Sequence, residues 1–174
     1  AGGMAIMNKV NLEALERTAT DPTKIRRKQQ AAGEWLLEAG GPQFRAEVSY
    51  EGGKVVMESD QPSFLGGGGT RPGPLHYCFF GLLSCYTATF AAVAGQMGIT
   101  LHKLSARLEA DLNFSRVFGL SQEPIMEEVR ITLQVKSDAP RAKLAEVEKL
   151  AYERCPAVFA LTEKVRLKPA LELG

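Results

Sequence analysis

The chain of 174 residues is poor in the features that would place it quickly. It has three cysteines, and three do not make a disulfide framework in a chain of this length. It has two histidines, His76 and His102, and no His/Cys spacing of a zinc site. Formal net charge is +1, which removes the electrostatic case for nucleic acid or anionic lipid as a partner. Neither end reads as a secretion signal, so a reducing cytoplasm is the expected compartment. Internal repeats and heptads are missing. Ala1-Gly2-Gly3 before Met4 reads as an expression scar outside the fold.

Charge is also missing from one long stretch. Between Arg71 and Lys103 stands no Asp, Glu, Lys or Arg. Within it runs Pro74-Leu75-His76-Tyr77-Cys78-Phe79-Phe80-Gly81-Leu82-Leu83-Ser84-Cys85-Tyr86. Roughly 20 uncharged residues suffice to cross a bilayer. This run, however, carries Ser84, Thr87, Thr89 and Gln96 and lacks flanking Lys/Arg clusters. It reads as the central helix of a water-soluble domain, opened by Pro74 and closed near Gly95 or Gly98.

The remaining chain supplies elements to wrap such a helix. Phe44, Ala46, Val48 and Tyr50 alternate with charged or polar residues. Gly52-Gly53 follows, then Lys54 to Glu58, a hairpin pattern. Leu104 to Phe114 and Val129 to Lys136 alternate in the same way. Val165 to Leu173 reads as a last, edge strand because of Pro169. Asp138 is the expected cap of a second helix over 139–154, and Val10 to Ala19 reads as a short helix. Gly66-Gly67-Gly68-Gly69 reads as a flexible loop; it lacks the Lys-Ser/Thr ending of a P-loop. The class is α+β, an antiparallel sheet packed on helices.

Chemistry, if present, rests with the thiols. Cys78 and Cys85 fall on one helix face about 10 Å apart along the axis, too far to bond in an intact helix. Cys155 stands in Glu153-Arg154-Cys155-Pro156 and meets Cys85 only if the two helices pack together. His76 lies about 180° round the helix from Cys85, so a structural role fits it better than that of a base. His102 also reads as structural.

The order of parts resembles the OsmC/Ohr superfamily, the osmotically inducible and organic-hydroperoxide-resistance proteins. The likeness rests on Gly66 to Thr70, Pro74, the helical Gly81-Leu82-Leu83-Ser84-Cys85-Tyr86, the Asp138 helix and Arg154-Cys155-Pro156. It covers roughly residues 43 to 173, so 43–174 is the expected OsmC-like domain and 4–42 an N-terminal extension. The resemblance implies an intertwined homodimer, its sheet wrapped round two central helices, with active sites across the dimer interface. It implies that Cys85 attacks a hydroperoxide as a thiolate and becomes a sulfenic acid, and that Cys155 condenses with it. A dithiol then recycles the protein, with lipoylated proteins as reductant in the hydroperoxide-resistance branch. No metal and no cofactor are implied. Leu75, Phe79 and Leu82 are the expected apolar neighbours of the substrate.

Two departures stand out. Peroxidase relatives place a glutamate directly after the helix-opening proline, where this chain has Leu75. They also hold the thiolate with an arginine from the first hairpin, and no arginine stands at this hairpin's turn; Arg45, Arg71 and Lys54 are the candidates to replace it. The expected activity is a thiol-dependent peroxidase for organic hydroperoxides. The alternative is a non-enzymatic OsmC-like homodimer that binds a small apolar or thiol-reactive ligand, or senses oxidation.

Overall fold

The computed structural model describes residues 6–174, which fall into two compact units, one of residues 14–81 and the other of 82–174 together with the stretch up to Glu13. The expression scar lies outside the described residues. At the start, β1 (Ile6–Met7) and β2 (Val10–Asn11) form a short antiparallel hairpin, and α1 (Leu12–Ala19) follows directly. The short helix thus begins at Leu12, because Val10 is spent in pairing with Met7. Asn8, in the left-handed region at φ 54°, pins this hairpin. Its Nδ2 donates to the Ile99 carbonyl (2.9 Å), and its Oδ1 accepts from the Leu101 N–H (2.8 Å).

In the 14–81 unit, α2 (Pro22–Ile25) is one turn capped by Asp21. A three-stranded antiparallel sheet then forms in the order β3 (Ala32–Trp35), β4 (Phe44–Tyr50), β5 (Gly53–Ser59). The β4–β5 hairpin is the expected one, and Tyr50 pairs with Gly53 across its turn. Register sorts the side chains. Trp35 opposite Phe44, Ala46 opposite Met57 and Val48 opposite Val55 make one apolar face. Arg45 opposite Glu58 and Ser49 opposite Lys54 make the other, where Lys54 pairs with Glu47 at 2.8 Å. Strand β3 was not legible beforehand. Its Gly33 lies so close to the next strand that a Cβ would strike the Phe44 ring and the Arg45 carbonyl.

A loop of residues 60–73 leads to the long helix. Asp60, almost fully buried, accepts from the Gly68 N–H (3.2 Å), the Thr70 N–H (2.9 Å) and the Thr70 hydroxyl (2.8 Å). The glycine stretch is therefore a loop, as its composition suggests, but one folded round a carboxylate. Three backbone and hydroxyl donors hold that carboxyl below its ordinary range. Next comes α3 (Pro74–Gln96), which runs from this unit into the other. It starts with Pro74, and the Gly73 N–H donates to His76 Nδ1 at 3.1 Å. His76 thus serves the helix start.

In the other unit, Leu82, Tyr86, Phe90 and Val93 of α3 are buried at helical spacing. They pack with Val147 and Ala151 of α4 (Arg141–Arg154), Val158 of α5 (Pro156–Thr162) and Cys155 between these helices. The inward residues of β6 (Leu101–Glu109) and β7 (Arg130–Ser137), among them Leu104, Leu108, Ile131 and Val135, close this core. The helix α3 is long and apolar enough to cross a bilayer, yet only 33% of its apolar window is buried within one chain. Phe80 remains 70% exposed.

Several expectations need correction. Residues 165–173 form no strand; the chain beyond Cys155 makes α5 and then runs without regular structure. Pro169 denies that segment a ladder donor, and its leucines are exposed. Asp138 does not cap α4. The helix starts at Arg141 after Pro140, whose ring keeps the preceding residue out of helical geometry. Asp138 instead meets His102 Nε2 at 3.0 Å. Strand β6 stops at Glu109, and Phe114–Arg116 is a 3-10 turn capped by Asn113.

Candidate functional site

The thiols come together at a helix break. Pro156 lacks an N–H and cannot continue α4, so the chain turns extended at Cys155 (φ −73°, ψ 119°) and restarts as α5. The first turn of a helix has N–H groups without partners inside it. One of them, the Ala157 N–H, lies near the sulfur of Cys85 on α3 and favours its charged form. Cys155 neighbours the same sulfur, and Cys85 packs against the buried cluster that contains Cys155. All three cysteines are free: Cys155 is 1% exposed, Cys85 is half-buried and Cys78 is exposed.

The two-helix contact thus joins Cys85 to Cys155, and Cys78 points to the surface. Burial pushes the Cys85 thiol above its ordinary value of 9.0, and the neighbouring Cys155 adds to this. The Ala157 N–H pulls the other way, because a donor favours the thiolate. Tyr86, the next residue, is buried and its hydroxyl is likewise raised, chiefly by burial.

Arg45 and Arg71 form a cluster of their own in the 14–81 unit. Arg45 gives two bonds, at 3.1 and 2.9 Å, to one oxygen of Glu58. Arg71 gives one, at 2.8 Å, to the other oxygen, and a second to the Thr70 carbonyl at 2.8 Å. Arg71 first and Arg45 second hold the Glu58 carboxyl below its ordinary range. Leu75 brings no carboxylate to the start of α3, and Glu58 is the acidic residue that engages both guanidiniums. Sequence reading missed Glu58. Its signal was available: in the hairpin register it faces Arg45.

Leu75 and Phe79 are half-buried on α3, whereas Leu82 is buried. Leu82 lies at the floor of a cleft of about 310 Å³ walled by β7, α4 and α5. A second cleft, of about 410 Å³, lies on the apolar face of the β3–β5 sheet, between Trp35, Phe44, Met57 and Tyr77. Among the described residues, no group of three or more His, Cys, Asp or Glu side chains could hold a metal ion.

No curated protein matches the chain. Among solved structures, an OsmC-like protein from Mycoplasma pneumoniae aligns at 18% identity and TM-score 0.56, covering 79% of this chain and 89% of that one. An organic hydroperoxide resistance protein OsmC from Legionella pneumophila aligns at 21% identity and TM-score 0.55, covering 78% and 90%. An organic hydroperoxide resistance protein from Elizabethkingia anophelis aligns at 15% identity and TM-score 0.53, covering 80% and 91%. At these identities the likeness speaks for the fold, an α+β fold of antiparallel strands and helices. The family description "OsmC-like protein" matches residues 66–169, a span that takes in α3, β6, β7, α4 and both Cys85 and Cys155. That match covers more than half of the chain, and the chain belongs to the OsmC-like protein family.

Proposed function

We propose that the protein is a thiol-dependent peroxidase for organic hydroperoxides, acting in oxidative-stress defence in the cytoplasm as a homodimer. The observation that carries this reading is the contact of Cys155 and the Ala157 N–H with the Cys85 sulfur. Two similar structures that bear hydroperoxide resistance in their names support the same direction.

The chemistry follows from the arrangement. Cys85 loses its proton, and the thiolate attacks the distal oxygen of the hydroperoxide. The O–O bond breaks, the alkoxide leaves and takes up a proton to give the alcohol, and Cys85 becomes a sulfenic acid. The Cys155 sulfur then attacks the Cys85 sulfur, an S–S bond forms and water leaves. An external dithiol, such as a lipoyl group, reduces the disulfide and restores both thiols. Cys155 needs no long search, because its partner packs against the cluster that contains it. The Ala157 N–H favours the anion in the first step. Arg45 or Arg71, aligned by Glu58, is the guanidinium that would support the thiolate in the assembled dimer.

The test is consumption of a dithiol in the presence of an alkyl hydroperoxide, followed by single-turnover oxidation of Cys85. Saturable thiol loss well above the rate of free cysteine supports the peroxidase. A second reading, an OsmC-like homodimer that binds a small ligand or senses oxidation without turnover, is favoured by the burial that raises the Cys85 thiol. Under that reading hydroperoxide consumes no dithiol.

A further inference from the structure

Glu58 is gripped at its backbone as well as at its carboxylate. It lies on β5, an edge strand of the three-stranded sheet. The next carbonyl, that of Ser59, accepts from the Gln43 N–H on the β4 side at 3.1 Å. Successive carbonyls of a strand point to opposite sides, so the Glu58 carbonyl faces off the open edge. Tyr77, one turn into α3, fills that place: its hydroxyl donates to the Glu58 carbonyl at 2.6 Å.

The other bonds of the cluster stay within the sheet and the loop. Arg45 stands opposite Glu58 in the hairpin register and gives it bonds of 3.1 and 2.9 Å. Arg71 reaches Glu58 at 2.8 Å from the loop of residues 60–73. That loop is joined to the end of β5 where the Asp60 N–H donates to the Pro72 carbonyl at 3.3 Å. The Tyr77 bond is of another kind, because it ties the strand to a helix. The same helix bears Cys85, eight residues or about two turns further on. The ring of Tyr77 is half-buried and lines the apolar cleft with Phe44, Met57 and Pro74, so the hydroxyl is held on a packed base. Without the hydroxyl, water can take its place at the edge carbonyl. Its loss therefore acts on position more than on stability.

Resting on the peroxidase reading above, we infer that Tyr77 is a positioning residue for the first oxidation: its hydroxyl fixes Glu58, and through Glu58 the guanidiniums of Arg45 and Arg71, in register with the helix that bears Cys85. Tyr77 acts through Glu58 and not on the reacting atoms.

A double-mutant cycle in the full chain tests this, with Tyr77→Phe, Glu58→Gln and the two combined. Single-turnover oxidation of Cys85 by cumene hydroperoxide is followed separately from the later passage of the sulfenic acid to the disulfide. Tyr77→Phe should slow the first oxidation about tenfold, since a misplacement of about 1 Å can cost a hundredfold and the arginines still hold Glu58. The passage to the disulfide should keep its wild-type rate. Once Glu58→Gln has loosened the guanidiniums, adding Tyr77→Phe should cost less than about twofold more. A wild-type rate of first oxidation in Tyr77→Phe overturns the assignment and leaves the peroxidase reading standing. So do losses that multiply in the double variant, slowing of both steps together, or slowing by Tyr77→Phe where Glu58→Gln has no effect, because each marks a general distortion of α3 rather than an action through Glu58. Oxidation of wild-type Cys85 no faster than free cysteine overturns the peroxidase reading, and this inference with it.

Discussion

Cys155, buried at the break between α4 and α5, neighbours Cys85, half-buried on α3. The relation assigns unlike tasks to the two thiols. Cys85 has an approach from the surface; Cys155 has none and has its partner beside it. Cys85→Ser should lower dithiol-coupled turnover by roughly a thousandfold or more, as loss of a nucleophile does. Cys155→Ser should permit one oxidation and then accumulate sulfenic acid, detectable by mass spectrometry with a sulfenate trap. Equal single-turnover consumption of hydroperoxide by the two variants would contradict this division.

The Cys85 thiol is raised above 9.0, chiefly by burial. In a Cys78→Ser background, alkylation of Cys85 by iodoacetamide should be slower than that of free cysteine at neutral pH and should keep rising beyond pH 9. The same shift links to stability. Its contribution is present below the unfolded thiol pKa and is lost as pH rises through the higher folded value. A plateau of alkylation near pH 7 would show a thiolate at rest and would contradict the assignment.

Glu58 aligns Arg45 and Arg71 through three charge-assisted bonds. Glu58→Gln removes the charge and keeps the shape. Hydroperoxide turnover should fall between about ten- and a hundredfold if either guanidinium supports the thiolate, since misplaced catalytic groups cost that much. Arg71→Lys should fall similarly, because an ammonium cannot hold Glu58 and the Thr70 carbonyl with one planar fork. Unchanged turnover in Glu58→Gln would remove both arginines from the reaction.

The Asp60 loop is a point where small changes should register. A Cβ on Gly67 would run into the backbone of Gln61, so Gly67→Ala should destabilise by about 1–3 kcal/mol in thermal or urea unfolding. Asp60→Asn should also lower the melting temperature at neutral pH. Asp60 is held below its ordinary 3.8, so its contribution is present above the unfolded value and fades as pH falls through the folded one. The difference between wild type and Asp60→Asn should therefore narrow at low pH.

How far the sequence revealed the fold depended on how local each signal was. The hairpin at Gly52-Gly53 and the uncharged helix from Pro74 were legible, because period two and helical length each show within a short window. Strand β3 was not: Ala32–Trp35 has four exposed residues and gains its place only by pairing with β4. The 165–173 segment was misread for the opposite reason, since its alternation had no partner strand to receive it. Both thiols of the site were legible from Ser84-Cys85-Tyr86 and Arg154-Cys155-Pro156. The Ala157 N–H and Glu58 were not, because one is backbone and the other depends on cross-strand register.

The outward face of α3 should be covered by a second copy. With Phe80 70% exposed and two-thirds of the apolar window unburied in one chain, a free monomer would present a large apolar surface to water. Sedimentation at low micromolar concentration should give a dimer. A folded monomer there would contradict the homodimer.

The most direct measurement is non-reducing peptide mapping after one equivalent of cumene hydroperoxide. The expected product is a single Cys85–Cys155 disulfide with Cys78 recovered as a free thiol. Recovery of a Cys78–Cys85 bond would mean that α3 unwinds and that the thiol pair is misassigned, and recovery of three free thiols would mean that the Cys85–Cys155 contact is packing rather than redox chemistry.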